Sequence, residues 1–356
     1  MDNQGLLIKG RGSQINPSNK FDSSSYVSEY IEGIDENWEL FGKKTKYYVS
    51  NSKSLVNKVN SPDVKYNLSI NPYQGCEHGC VYCYARESHQ YWGFGPGLDF
   101  ESKIIVKPNA PELLEKYFRR RSYIAQPIML SGNTDCYQPI ERKLKITRRL
   151  LEVFLKYRNP VSIISKNYTM LRDLDLLKKL AEKNLVHVAI SLTSLDKDLQ
   201  QKMEPRTASP FKRLKTIKEL SENGIPVQAM IAPVIPALTD HEIPALLQAA
   251  AAVGAESASY IVVRLNGNVS KVFENWVQIA YPSRSKRILS AISKCHNGNL
   301  NDSRFNTRMT GDGQLADAIK DLFEISRRKH FKNDIKRELD SSQFRVPGIS
   351  KQSTLF

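Results

Sequence analysis

The chain has 356 residues, 40% hydrophobic and 25% charged, which fits one large globular domain with extensions or two domains. No apolar run approaches the roughly 18–20 residues of a membrane-spanning helix, and Met1-Asp2-Asn3-Gln4 does not begin a charged and then apolar leader, so no membrane partner and no export are expected and the cytoplasm is the expected compartment. The net charge of +15 is compatible with a polyanionic partner such as DNA or RNA, whereas an odd count of five cysteines argues against a disulfide framework.

Residues 1–65 are polar and rich in Asn, Ser and Lys, with turn chemistry at Gly10-Arg11-Gly12 and Asn16-Pro17-Ser18-Asn19. They are expected to form an N-terminal extension that wraps the core or is partly disordered. From residue 66 the grain changes. Strand patterns at 66–72, 127–131, 161–165, 186–192, 226–232 and 257–263 alternate with helical patterns at 111–121, 144–157, 171–183, 209–223 and 243–253. Asn223-Gly224 and Val253-Gly254 are helix stops placed just before strands. Such alternation predicts an α/β fold, a partial (β/α)6 TIM-like barrel over 66–265, with functional groups at the C-terminal ends of the strands. The glycine-punctuated aromatic loop 91–97 interrupts the pattern. Helical patterns at 271–280, 286–292 and 316–328 predict a C-terminal helical region over 266–340, and 341–356 is expected to be a flexible tail. Basic residues cluster locally at Arg119-Arg120-Arg121, at Arg142-Lys143 with Lys145, at Arg148-Arg149 and at Arg327-Arg328-Lys329.

Three of the five cysteines fall in Cys76-Glu77-His78-Gly79-Cys80-Val81-Tyr82-Cys83-Tyr84, on the loop leaving the first strand. Thiols this dense point to metal. Four thiolates would suggest closed structural zinc or a saturated iron–sulfur cluster, whereas three leave one iron of a cube open to a ligand. Gly75 and Gly79 let the backbone curl round a bulky group. The alternative is a zinc knot that adds His78 or His89, although a structural zinc normally brings a second ligand pair and Cys136 and Cys295 lie far off.

The spacing CxxxCxxC, with an aromatic before the third cysteine, resembles the radical S-adenosylmethionine (radical SAM) superfamily. The string Cys80-Val81-Tyr82-Cys83-Tyr84 is similar to the branch around spore photoproduct lyase. The resemblance covers residues 66–265 and implies the radical SAM type of barrel. It implies one [4Fe-4S] cluster on Cys76, Cys80 and Cys83, with S-adenosyl-L-methionine on the fourth iron. Reductive cleavage of that cofactor would give a 5′-deoxyadenosyl radical that abstracts hydrogen from an unknown substrate. A low-potential electron donor such as flavodoxin or ferredoxin is implied as a partner.

The same resemblance assigns roles to strand ends. Thr134 and Asp135, after the second strand, match the place that holds the cofactor's amino group. Lys166, after the third, matches a lysine that meets its carboxylate. Ser191, after the fourth, matches a ribose ligand. Arg206 is expected to face the cofactor or pair with Glu204, and Ile235 to pack on the adenine. Glu141 and Arg264 are candidate internal polar anchors. Tyr84 matches a radical-transfer tyrosine of photoproduct lyase. The hydrogen-donating cysteine of that enzyme is Gly132 here, which leaves Cys136 as the candidate donor. The chain is therefore expected to belong to an uncharacterised bacterial group near photoproduct lyase, lyase-like or modifying in its reaction. A nucleic acid substrate is the first reading. A protein or small metabolite is the second, and a non-enzymatic metal-binding or redox module the third.

Overall fold

The computed structural model describes residues 8–21, 44–331 and 337–348. Its centre is a seven-stranded sheet in the order β10-β9-β8-β7-β6-β3-β2. The strands β3 (Leu68–Ile70), β6 (Ile128–Leu130), β7 (Val161–Ser165), β8 (Val186–Ser191), β9 (Val227–Val234) and β10 (Ser257–Val262) run parallel, and β2 (Asn57–Lys58) is antiparallel at the edge. These are the six strands read from the sequence. Buried faces explain their composition: Val161, Ile163, Val186, Val188 and Ile190 all lie in the main core.

Helices return the chain between strands. Ile146–Tyr157 buries Leu150, Leu151, Phe154 and Tyr157 on one stripe. Pro210–Glu222 starts at Ser209, whose hydroxyl accepts from the Lys212 N–H at 3.4 Å, and Gly224, at φ 71°, lies just beyond its end. The sheet does not close on itself among the described residues. β10 ends one side and β2 the other, so the barrel is partial. The segment after β10 spans the seam: Arg308 lies 2.5 Å from Asp63, the Asn306 N–H donates to Asp63 at 2.7 Å, and the Val262 N–H donates to the Met309 carbonyl at 2.9 Å.

A second, three-stranded sheet, β1-β5-β4, was not legible in the sequence. β1 (Lys46–Val49) pairs in parallel with β5 (Lys103–Val106), which pairs antiparallel with β4 (Tyr73–Gln74) just before the cysteine loop. Of the expected extension, residues 8–21 also wrap this loop, whereas 1–7 and 22–43 lie outside the described residues. The backbone N–H groups of Gly12 and Ser13 donate to the Glu101 carboxylate at 3.0 and 2.8 Å, and Leu98 donates to the Ile15 carbonyl at 3.1 Å.

Past the barrel, Val269–Ala280 and Ser285–Lys294 build a second apolar cluster in which Phe273, Trp276 and Ile292 join Cys80, Val81 and Tyr82. Gln314–His330 packs on Ile243–Ala252. The expected flexible tail needs correction over 341–348. Phe344 lies 5.8 Å from Phe118 and 5.3 Å from Tyr123, and the Arg345 N–H donates to the Tyr157 carbonyl at 2.9 Å. Phe344 is partly buried against the main core, so the segment is docked by an apolar contact as well as by this hydrogen bond. Residues 349–356 lie outside the described residues.

Candidate active site

The cysteine loop runs from the end of β4 into a 3-10 helix, Tyr84–Trp92. Its path depends on two glycines at positive φ, Gly75 at 75° and Gly79 at 69°. A side chain at Gly75 would press on the Lys103 and Phe100 carbonyls at 2.9 and 3.0 Å. Cys76 and Cys80 are buried, and Cys83 is half-buried. Burial is the first cause that pushes all three thiols up. For Cys76 the next causes are the charges of Asp135, Cys80 and Cys83, so the three sulfurs sense one another. Three thiolates in one buried loop call for a strong positive partner, which is the donor chemistry of an iron–sulfur cluster. Among the described residues, no three Cys, His, Asp or Glu side chains stand ready to hold a single metal ion, so the fit rests on donor chemistry and not on a preformed cage.

Buried polar links tie this loop to the barrel. Tyr82 donates its hydroxyl to Glu204, which also pairs with Arg213; both side chains of that pair are buried. His78 places Nδ1 3.3 Å from Asp135 and Nε2 3.1 Å from the Asn167 amide. The Glu77 carboxylate accepts from the Ile140 N–H at 2.8 Å and from the Tyr47 hydroxyl at 3.1 Å. The loop is thus fastened to the ends of β6, β7 and β8.

Asp135 is a hub among those ends. It accepts from the Ser165 hydroxyl at 2.8 Å and from the Lys166 N–H at 2.9 Å. Burial opposes its ionisation, but His78 and these hydrogen bonds outweigh that and hold its carboxyl below the ordinary value. Thr134 is buried and donates its hydroxyl to the Tyr73 carbonyl at 2.6 Å. Lys166 projects into the cysteine site. Burial lowers its pKa, Cys80 is the largest opposing influence, and its ammonium lies 6.0 Å from the Tyr82 ring. Among the described residues that ammonium has no ion pair. Ser191 ends β8, buried, with its carbonyl accepting from Arg213 at 3.1 Å. Ile235 follows β9, fully buried in the cluster that includes Cys80 and Tyr82.

Tyr84 lies at the open side. Its side chain is 48% exposed, and its hydroxyl donates to the Gly132 carbonyl. Burial, then Cys83, push this hydroxyl up to about 12, against the pull of Arg264. Arg264, half-buried just past β10, is lowered by burial and by Arg308, and senses Tyr84 in return. Among the described residues its guanidinium makes no hydrogen bond or ion pair, because the nearby Asp63 and Asp302 are already engaged by Arg308 and Arg304.

Two expectations are corrected. Arg206 does not pair with Glu204, whose partner is Arg213. It donates to the Gly10 carbonyl at 3.0 Å and lies 3.8 Å from Glu77 of the cysteine loop. Cys136 is not on the open side with Tyr84. It is fully buried in the main core, with its N–H on the Ser131 hydroxyl at 2.9 Å and its carbonyl taking the Thr147 hydroxyl at 2.7 Å. Glu141 is a buried anchor that accepts from the Tyr73 hydroxyl and from Arg172. The His78–Asp135 and Glu204–Arg213 links were missed. A histidine inside the cysteine motif was the only signal for the first, and nothing local signalled the second.

The sequence model described as the radical SAM superfamily matches residues 70–250. The chain belongs to the radical SAM superfamily. It is a radical SAM enzyme whose barrel is like that of spore photoproduct lyase. A solved structure of spore photoproduct lyase complexed with dinucleoside spore photoproduct superposes with a TM-score of 0.59 at 17% identity, over 81% of this chain and 80% of that one. An uncharacterised protein of Mycobacterium tuberculosis strain H37Rv is 34% identical over 238 residues, 66% of this radical SAM chain and 70% of that protein. An uncharacterised protein of Methanocaldococcus jannaschii is 36% identical over 191 residues, 54% of this chain and 68% of that protein. A radical SAM Nalpha-GlyT isomerase of Pseudomonas phage M6 is 29% identical over 189 residues, 51% of this chain and 36% of that protein. No helix among the described residues is long and apolar enough to cross a membrane.

Proposed function

We propose that this radical SAM enzyme holds one [4Fe-4S] cluster on Cys76, Cys80 and Cys83, binds S-adenosylmethionine through Lys166, and acts on nucleic acid by repair or modification. The observation that carries the cofactor reading is the Lys166 ammonium. It lies 6.0 Å from the Tyr82 ring in the field of Cys80, Asp135 and Cys83, and makes no ion pair among the described residues. A carboxylate brought by the cofactor would complete that charge. When bound, the cluster and S-adenosylmethionine supply a 5′-deoxyadenosyl radical for hydrogen abstraction, with electrons from a low-potential donor such as flavodoxin or ferredoxin.

The chain's own residues bind and orient. Asp135 holds the ends of β6 and β7 and the His78 ring in one register. Ser191 and Thr134 offer hydroxyl oxygens at the end of β8 and after β6, on either side of β7. Tyr84 and Arg264 flank the substrate side, and the open guanidinium fork suits a phosphodiester. The net charge of +15 supports a polyanionic substrate. The lyase neighbour's complex with a dinucleoside photoproduct agrees in kind.

Anaerobic reconstitution tests this reading. It expects about four irons per chain. On reduction with S-adenosylmethionine it expects 5′-deoxyadenosine, formed faster when single-stranded DNA or RNA is added. Zinc in place of iron would overturn the cluster assignment. Cofactor cleavage indifferent to every polynucleotide would overturn the substrate assignment.

A further inference from the structure

The loops after β6, β7 and β8 all surface at the C-terminal rim of the sheet, next to Lys166. Two residues past Lys166 comes Tyr168, and the Ala208 N–H that precedes helix Pro210–Glu222 donates to the Lys166 carbonyl at 3.2 Å. Tyr168 carries two cations. Lys212 lies 4.4 Å from the centre of its ring, and Arg142 lies 5.4 Å from it while donating to its hydroxyl at 2.9 Å. Beside Lys212, Phe211 is 75% exposed. Lys143 is exposed beside Arg142.

None of Arg142, Lys143 and Lys212 has an ion pair among the described residues. The basic residues one turn further along are different. Arg148 pairs with Asp173 and Asp175, and Arg149 with Glu112. The rim thus keeps its positive charge free while the helix behind it is neutralised. Tyr168 is half-buried between these two cations, and the exposed Phe211 ring, next in sequence to Lys212, has no ring contact among the described residues. The combination of free cations and an open π-face is what a single nucleic acid strand meets: phosphates on the cations, a base on the ring.

We propose that Arg142, Lys143, Tyr168, Phe211 and Lys212 form a docking rim for single-stranded nucleic acid, with a base stacked on Phe211. This rests on the nucleic acid reading above. The rim adjoins Lys166, so a strand held there lies beside the cofactor site.

The test is fluorescence anisotropy of labelled single-stranded DNA and RNA, titrated with the full chain over a range of salt. Phe211→Ala lowers affinity about 5- to 100-fold, the usual loss for one stacked base. The double variant Arg142→Gln/Lys212→Gln reduces the slope of log K against log salt by about 1.4, two phosphate contacts on a single strand. The control Arg120→Gln/Arg121→Gln removes equal charge from the exposed end of helix Ala110–Phe118, at the opposite end of the strands, and leaves the slope nearly unchanged. Thermal melts check that each variant folds. Wild-type protein that binds no strand at low salt overturns the nucleic acid reading and the rim with it. Binding that resists both rim variants, or falls equally in the control, overturns the rim alone. Equal affinity for polyglutamate overturns the role of Phe211 and reduces the rim to a general anion surface.

Discussion

The phenol of Tyr82, one residue before the third cysteine, donates to the carboxylate of Glu204, 122 positions further along the chain. Glu204 is fully buried, and Arg213 balances its charge with an exposure of only 2%. One buried ion pair therefore fixes the cysteine loop against helix Pro210–Glu222, the second helix after β8. Removing one member of such a pair leaves the other charge stranded, at about 3–5 kcal/mol. Glu204→Gln is expected to lower the urea midpoint accordingly and to lower iron retained after reconstitution, because Tyr82 loses its anchor. An unchanged iron count would show that the loop is held elsewhere.

Gly12 and Gly79 touch backbone to backbone. A Cβ at Gly12 would stand 1.8 Å from the Gly79 carbonyl oxygen, a group that cannot step aside. Gly12→Ala is expected to lift residues 8–21 from the cysteine loop, with a stability loss of about 1–3 kcal/mol. Limited proteolysis followed by mass spectrometry would show earlier cleavage between residues 8 and 21.

Lys166→Ala separates cofactor binding from cluster binding. A lost charge-assisted hydrogen bond is worth about 1.5–3 kcal/mol, roughly a 10- to 100-fold weaker S-adenosylmethionine affinity. Iron content is expected to stay as in the wild type, since no sulfur is removed. Cys76→Ala, Cys80→Ala and Cys83→Ala are each expected to lose the iron itself. Equilibrium dialysis and iron analysis on the same samples distinguish the two classes.

His89 lies buried beside Phe94 and Phe100, 5.3 and 5.6 Å between ring centres. Burial, against the pull of Asp99, lowers its pKa from 6.5 to about 4. The sign follows from proton uptake. As pH falls below about 6.5 the unfolded chain protonates this ring, while the folded chain does not until about 4. The associated stability is full above that window and lost on descending through it, amounting to about 3 kcal/mol. His89→Phe is expected to flatten the fall in stability between pH 6.5 and 4, measured by denaturant unfolding at each pH.

Cys136→Ala is expected to cost about 1 kcal/mol of stability and to leave product formation intact, because the residue is fully buried in the main core. Loss of product with 5′-deoxyadenosine still formed would restore it as a hydrogen donor.

Much of this was legible in advance because its signals are local. Strand and helix periodicity gave the six parallel strands, since each strand's burial is written in its own few residues. The CxxxCxxC spacing marked the cluster of thiols for the same reason, and the place of Lys166 just past a strand end was legible from that strand's own pattern. β1 escaped because its four exposed residues carry no burial pattern and pair with β5, more than fifty positions away. The partner of Glu204 was not legible because two arginines, Arg206 and Arg213, follow that glutamate within nine positions. Only the folded helix decides which reaches Glu204.

The sequence by itself determined the family, the order of strands and helices, and the three thiols, all of which depend on short-range spacing. The tertiary structure decided which charges are satisfied. Glu204 takes Arg213, Asp63 takes Arg308, and Arg264, Lys166 and the rim at Tyr168 are left with free positive charge among the described residues. Charge compensation depends on which side chains meet across distant segments, and that is fixed only when the core has packed.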